Sequence, residues 1–295
     1  MTFSVDTLAK HPGFVAALAF LARQLQGQFD VNQRLTRFLA SHQRWLLSQA
    51  GFALHLEYDP QEPSSGLTTT RLKEMVISVN AASRNTVLNY LDQLLSYRFI
   101  RLAGDPGRRP RRFEATEAST AAMFGWLSAN LAALDLLDMG ERAATMQAHP
   151  DLFKLIQPRI ARQCFENAAW RDPPARVAMF LWTEAGGLVM DELITRIDPA
   201  TLNDPLIDIG RIDARAMAAH FMMSRTHLQR LLRKAVDGRC LVWNDDKKTT
   251  MSISRDYLDE YAGWQAEKFA IVDEAFALAS QALLGPSAAR FRHSA

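Results

Sequence analysis

The sequence predicts a mainly α-helical fold with short β-hairpins, in which one pattern occurs twice. Ser83-Arg84 opens SRNTVLNYLDQLLSYRFIRL and Ser224-Arg225 opens SRTHLQRLLRKAVDGRCLVW, two stretches in ungapped register about half a chain apart. Each reads as a serine-capped helix followed by a short alternating strand, with another short helical run before it. Positive charge gathers in the same two places. Residues 83–112 hold seven Arg/Lys against two Asp and residues 224–248 hold seven against three, while the whole chain of 295 residues carries a formal net charge of +2. A helix pair running into a basic hairpin is the pattern of a winged helix-turn-helix. The expectation is therefore a tandem reader of a polyanion.

The elements follow in order. Residues 13–50, rich in Ala, Leu, Phe and Gln, predict helix with few breakers until Gly51, and YDPQEPSSG at 58–66 is turn material. A first winged unit then spans about 67–116, and Thr120–Asp138 returns to helical spacing. The uncharged run Ala118–Leu134 contains Ser, Thr, Asn and Gly, too short and mixed for a membrane span, and predicts a helix buried between protein elements. Met139–Pro150 reads as the joint between halves 1–145 and 146–295. Pro158 and the Pro173-Pro174 pair also interrupt helices. In the second half Val177–Arg196 reads as helix broken at Gly186-Gly187, and Ile197-Asp198-Pro199 echoes Tyr58-Asp59-Pro60. The second winged unit, about 206–253, comprises a strand at Leu206–Ile209, helices at Asp213–Phe221 and Ser224–Val236, and a hairpin at Arg239–Ile253 turning on Asn244-Asp245-Asp246. Arg255–Leu284 is a final helix closed by Gly285-Pro286.

The two repeated helices define the candidate site. Val87, Leu91, Leu94 and Leu95 in the first fall where Leu228, Leu232, Ala235 and Val236 fall in the second, predicting one kind of core. Ser83 and Ser224 suit the N-cap, with Arg84 and Arg225 at the helix start and Thr86 and His227 beside them. Asn85, Asn89 and Asp92 face outward in the first helix; Thr226, Arg230 and Arg233 take those positions in the second, with Gln229 alongside. A helix fits the major groove of DNA, where Asn pairs with adenine and Arg with guanine, while helix starts and basic residues meet phosphates. Asp92 is repulsive to phosphate unless it accepts from a cytosine amino group, so the second helix is the better-charged reader. The first hairpin carries Arg108, Arg109, Arg111 and Arg112 at or beside its tip, able to reach a minor groove or flanking backbone. The second carries Lys247 and Lys248, suited to phosphate alone.

The run from Asn80 to Glu117 resembles the MarR family of bacterial winged-helix transcription regulators. The shared features are a serine-capped helix, a wing beginning Asp105-Pro106 with Arg108-Arg109, and a closing strand ending Thr116-Glu117. It departs from that family where Arg98 stands in place of a usual glycine, where Ala115 replaces a leucine, and after Gly107, where a second acidic residue is missing. The second copy resembles the family only through its helix pair, and SRTHLQRLLRKA is also similar to the helix-turn-helix of AraC-type activators. The resemblance implies double-stranded DNA as partner, a place on the bacterial nucleoid in the cytoplasm, and either a fused pseudo-dimer acting as monomer or a homodimer. It also implies a small-molecule effector of unknown identity. Phe124, Trp126, Trp182 and Trp264 have the spacing of plain core, so no ligand site is assigned to them.

Other chemistry is poorly represented. The sequence has no phosphate-binding Gly loop, no GxGxxG and no HExxH. Its seven histidines are scattered; His55, His149 and His220 have no partners at ligand spacing. Asp191-Glu192 and Asp259-Glu260 read as solvated helix faces. No catalytic residue, metal or cofactor is expected. Cys164 and Cys240, the only cysteines, form no disulfide framework and suit a reducing cytosol as buried thiols. The N-terminus lacks the basic start of a signal peptide, and no membrane partner is expected. Two further readings stay open: a plasmid-type replication initiator with tandem winged domains, and a winged-helix scaffold that does not touch DNA.

Overall fold

The computed structural model describes residues 2–31, 33–104 and 110–285. Helices α1 (Val5–Ala9), α2 (Phe14–Val31), α3 (Gln33–Leu39) and α4 (His42–Leu56) come first. Strand β1 (Leu67–Thr68), α5 (Thr69–Ile77), α6 (Arg84–Ser96) and the hairpin β2 (Ile100–Ala103) with β3 (Arg112–Ala115) follow. Then come α7 (Glu117–Asp138), α8 (Arg142–Ala148), α9 (Leu152–Glu166), α10 (Ala168–Arg171), α11 (Ala175–Leu181) and α12 (Gly186–Thr195). Strand β4 (Leu206–Arg211), α13 (Ala214–His220), α14 (Arg225–Asp237), the hairpin β5 (Leu241–Trp243) with β6 (Thr250–Ser254), and α15 (Arg255–Leu284) complete the chain. The molecule is mainly helical with two small antiparallel sheets.

Its compact units interleave along the sequence. The first takes residues 1–3, 43–171 and 268–295; the second takes 4–42 and 172–267. They differ from the sequential halves read from the sequence because Met139–Pro150 is a corner inside the first unit rather than a joint. Met139 closes α7 in the left-handed region at φ +58°. The buried Arg142 then ties the corner together through Asp135 (3.1 Å), Asp138 (2.7 Å) and Asp273 of α15 (2.8 Å). Losing one partner of such a buried ionic group leaves another charge uncompensated, which is costly.

In the first unit, β3 lies between β1 and β2, with Leu67 opposite Phe113 and Arg101 opposite Glu114. Thr68 caps α5 by accepting from Arg71 N–H. The expected helix over 13–50 is in fact three helices, and α4 runs through Gly51 to Leu56. Gly51 is buried, with only ordinary contact to Leu67 in reach of an added Cβ. Pro158 lies inside α9 instead of ending it. The buried stripe of Leu152, Ile156, Ile160, Ala161 and Cys164 holds the helix across the missing N–H, packing overriding local preference. Helix α7 alone among the described residues is long and apolar enough to cross a membrane. Its Leu127, Leu131, Ala133 and Leu134 are fully buried, but Ala118, Ala121 and Leu136 are exposed, so the run expected to be buried between protein elements is buried along one face only.

In the second unit, β6 lies between β4 and β5. Helix α2 packs along α12, with Gln26 Nε2 donating to Glu192 at 2.9 Å. The break read at Gly186-Gly187 is present: α11 ends at Leu181 and α12 starts at Gly186. A Cβ at Gly186 would overlap the Phe180 carbonyl oxygen, so this tight reversal requires glycine. Pro173-Pro174 also separates helices as expected, between α10 and α11.

Each unit thus contains the same sequence of elements: a leading helix (α4 or α12), a strand, two helices and a hairpin, with the last strand central in the sheet. The correspondence extends to single residues. Val87, Tyr90, Leu91 and Leu94 are the buried residues of α6; Leu228, Leu231, Leu232 and Ala235, at equivalent positions, are those of α14. Tyr90 and Leu231 were not singled out by the sequence pattern, and Leu95 and Val236 are only half-buried. Both helices end in the same left-handed reversal. Phe99 N–H reaches Leu94 C=O and Cys240 N–H reaches Ala235 C=O, each at 2.8 Å.

Candidate nucleic-acid interface

The serine caps hold both helix starts in place. Ser83 Oγ accepts from Thr86 N–H at 3.2 Å, and Ser224 Oγ accepts from His227 N–H at 3.1 Å. In front of each cap a left-handed residue turns the chain, Asn80 at φ +56° and Met222 at φ +53°. Behind each helix stands an arginine in the same conformation, Arg98 at φ +60° and Arg239 at φ +56°. Arg98 and Arg239 therefore occupy backbone positions that favour glycine.

On α6, Ser83, Arg84, Asn85 and Asn89 are exposed and Thr86 is half-buried, its hydroxyl 2.9 Å from Ser83 Oγ. Asp92 and Gln93 are exposed too, and Gln93 accepts from Arg44. On α14, Ser224, Arg225, Thr226, Gln229, Arg230 and Arg233 are exposed. His227 is half-buried, and its Nε2 is sealed from solvent with no hydrogen-bond partner among the described residues. The exposed face of α14 carries three arginines and Lys234, whereas that of α6 is mostly amide and carries Asp92.

The hairpins differ as well. Arg108 and Arg109 lie outside the described residues. Arg111 is exposed, but Arg112 is half-buried, its guanidinium 3.7 Å from the centre of the Tyr58 ring and 2.9 Å from Glu114. Glu114 also takes Arg101 at 3.3 Å across the strand pair. Burial raises the Glu114 carboxyl, but the two guanidiniums outweigh it and hold the group below its ordinary range. Two of the first hairpin's cations are thus already spoken for. At the second hairpin, Lys247 and Lys248 are exposed beside a tip organised by Asp245. Its carboxylate accepts from the Thr250 hydroxyl and N–H (2.8 and 2.7 Å) and from Thr249, which pull it down to about 2.

Between α14, the start of α13 and the second hairpin lies a concave depression of about 750 Å³. It brings together Arg225, Gln229, Arg233, Lys247 and Lys248 from the predicted set. It also recruits Arg211, Arg215 and Trp243, which sequence reasoning missed. Arg211 and Arg215 flank Asp213, which caps α13 by accepting from Ala216 and Arg215 N–H. Arg211 ends β4, which joins β5 through β6, whereas Arg215 lies on α13, which packs directly against α14. Trp243 shares its face of β5 with the buried Leu241, two residues earlier, and continues that apolar face beyond the core.

Elsewhere, no group of His, Cys, Asp and Glu among the described residues could hold a metal ion. Cys164 and Cys240 are buried, and burial pushes both thiols up, Cys240 to about 11. Trp126 packs edge-on against Trp45 and Phe124 against Phe153 in the first unit; Trp264 packs on His42 in the second, beside the half-exposed Trp182. Comparison of the chain with known protein families, curated proteins and solved structures gave no match.

Proposed function

We propose that the chain is a sequence-specific, double-stranded DNA-binding transcription regulator, and that its two modules are winged helix-turn-helix units of a MarR-like kind. The observation that carries this reading is α14: a serine-capped helix, fixed by four buried residues, that presents Arg225, Thr226, Gln229, Arg230 and Arg233 to solvent next to a lysine-tipped hairpin. A helix of this width enters the major groove, where Arg230 reaches guanine. Arg225 at the helix start and Lys247 and Lys248 on the hairpin meet phosphates and fix the register. The amide-rich α6 plays the equivalent role in the first module with less charge. Two linked readers raise the effective concentration of the second contact once the first is made. Because the readers differ, the preferred site is asymmetric.

Selecting bound duplex fragments from a random pool tests this. The expected result is one enriched asymmetric motif, bound about a thousandfold or more tighter than scrambled duplex at physiological salt. No enrichment, with no duplex binding even near 50 mM salt, overturns the reading.

A further inference from the structure

The depression beside α14 has a composition that groove contact does not require. The apolar and aromatic residues of its lining, Ile212, Leu232, Val236 and Trp243, are buried or half-buried, and the cations that make its rim are exposed. Helical geometry splits the exposed face of α14 into two strips. Arg225, Gln229 and Arg233, four residues apart, point into the depression; Thr226, Arg230 and Lys234 form the neighbouring strip, outside its lining. The convex strip suits the edges of stacked base pairs. The concave one does not, because bases in an intact duplex offer their edges and keep their faces covered. Trp243 is half-buried and contributes to the lining.

We infer that this depression is an adjoining subsite for an unpaired nucleotide of single-stranded DNA, its base stacked on Trp243 and its flanking phosphates held by rim cations, some of which also meet the phosphates of the neighbouring duplex. The inference rests on the nucleic-acid reading above and sharpens it. Three features agree. The depression, about 750 Å³ and half open to solvent, has room for a nucleotide. The rim sets Arg211, Arg215, Arg225, Arg233, Lys247 and Lys248 against two carboxylates, Asp213 and Asp237. Asp213 is already committed to the backbone N–H groups of α13. An aromatic platform inside a cationic groove is how single strands are held without sequence preference, since every base has a face to stack. A module that reads base-pair edges with one strip and holds an unpaired base with the next would keep a duplex locally open.

The test titrates the full chain with a fluorescent 12-mer oligothymidylate and, separately, with a 12-base-pair duplex, for the wild type, Trp243→Ala and Trp243→Phe. The expected result is single-strand binding that falls about tenfold or more in Trp243→Ala and less in Trp243→Phe, which keeps a ring to stack. Duplex affinity should change less than about twofold, and tryptophan emission quenched by the single strand in the wild type should be lost in Trp243→Phe. If Trp243→Ala does not fold, the Trp243→Phe quenching and affinity decide alone. Unchanged single-strand affinity and quenching in the variants, or duplex binding with no single-strand binding at all, overturns the subsite and leaves the duplex reading standing. Binding of neither nucleic acid overturns both.

Discussion

The two modules share a skeleton and differ in surface. Helices α6 and α14 bury the same four positions, end in the same left-handed arginine and lead into sheets of the same strand order. Both begin with an exposed arginine, Arg84 or Arg225, yet α6 then shows solvent Asn85, Asn89 and Asp92 where α14 shows Thr226, Arg230 and Arg233. Their hairpins diverge likewise, one tying Arg101 and Arg112 to Glu114 and the other leaving Lys247 and Lys248 exposed. Packing constrains the buried positions because lost volume or an added polar group there costs stability directly. The exposed positions are free of that constraint, so they carry whatever distinguishes the modules in function.

The comparison can be broken first at the leading helices. Gly51→Ala in α4 places a methyl in ordinary contact with Leu67 and should stabilise the chain by about 1 kcal/mol, as a helix-interior glycine replaced by alanine does. Gly186→Ala in α12 drives a methyl into the Phe180 carbonyl and should cost about 3 kcal/mol. Chemical denaturation of both variants checks this, and equal effects would mean the reversal before α12 is not tight.

The hairpin tips come next. Asp245→Ala removes the acceptor for Thr249 and Thr250 and should weaken duplex binding several-fold by loosening Lys247 and Lys248. The pH dependence has a definite sign. The carboxyl is held below its unfolded value near 3.8, so its contribution is complete above that value and fades as pH falls through about 2. Amide shifts of Thr249 and Thr250 should therefore stay constant down to about pH 4 and move only in stronger acid. A midpoint near 4 would show that the carboxylate is not organising the tip.

The smallest effect concerns a feature the modules share. Arg98→Gly and Arg239→Gly each relieve a left-handed φ and should raise stability by about 1 kcal/mol to a similar extent. A gain in one module alone would show that the two reversals are not equivalent.

Much of this was legible in the sequence, for reasons that can be named. The serine caps, the apolar stripe and the span of α15 are local signals set by short-range spacing, and they lie where expected. Pro158 misled because a helix buried along one face can carry a proline that an isolated helix could not. The corner at Met139 looked like a linker because the pairing of Arg142 with Asp273 joins residues far apart in the chain. Arg112 read as a solvent-facing wing cation because Tyr58, its partner, belongs to a distant turn. Arg211 escaped notice for a like reason, since it stands at the end of β4 and comes beside α14 through the sheet; Arg215 on α13 and Trp243 on β5 are near α14 in the chain, and what spacing alone does not show is that they converge on one depression.

The most direct test of the central claim, that α14 carries the larger share of contact with a polyanionic duplex, is the salt dependence of binding. Each phosphate neutralised adds about 0.9 to the slope of log affinity against log salt. Removing three cations in Arg225→Ala/Arg230→Ala/Arg233→Ala should flatten that slope by about two units or more. Arg84→Ala/Arg111→Ala in the first module should flatten it by about one or less. An unchanged slope in the α14 variant, or a larger change in the first-module variant, would contradict the account.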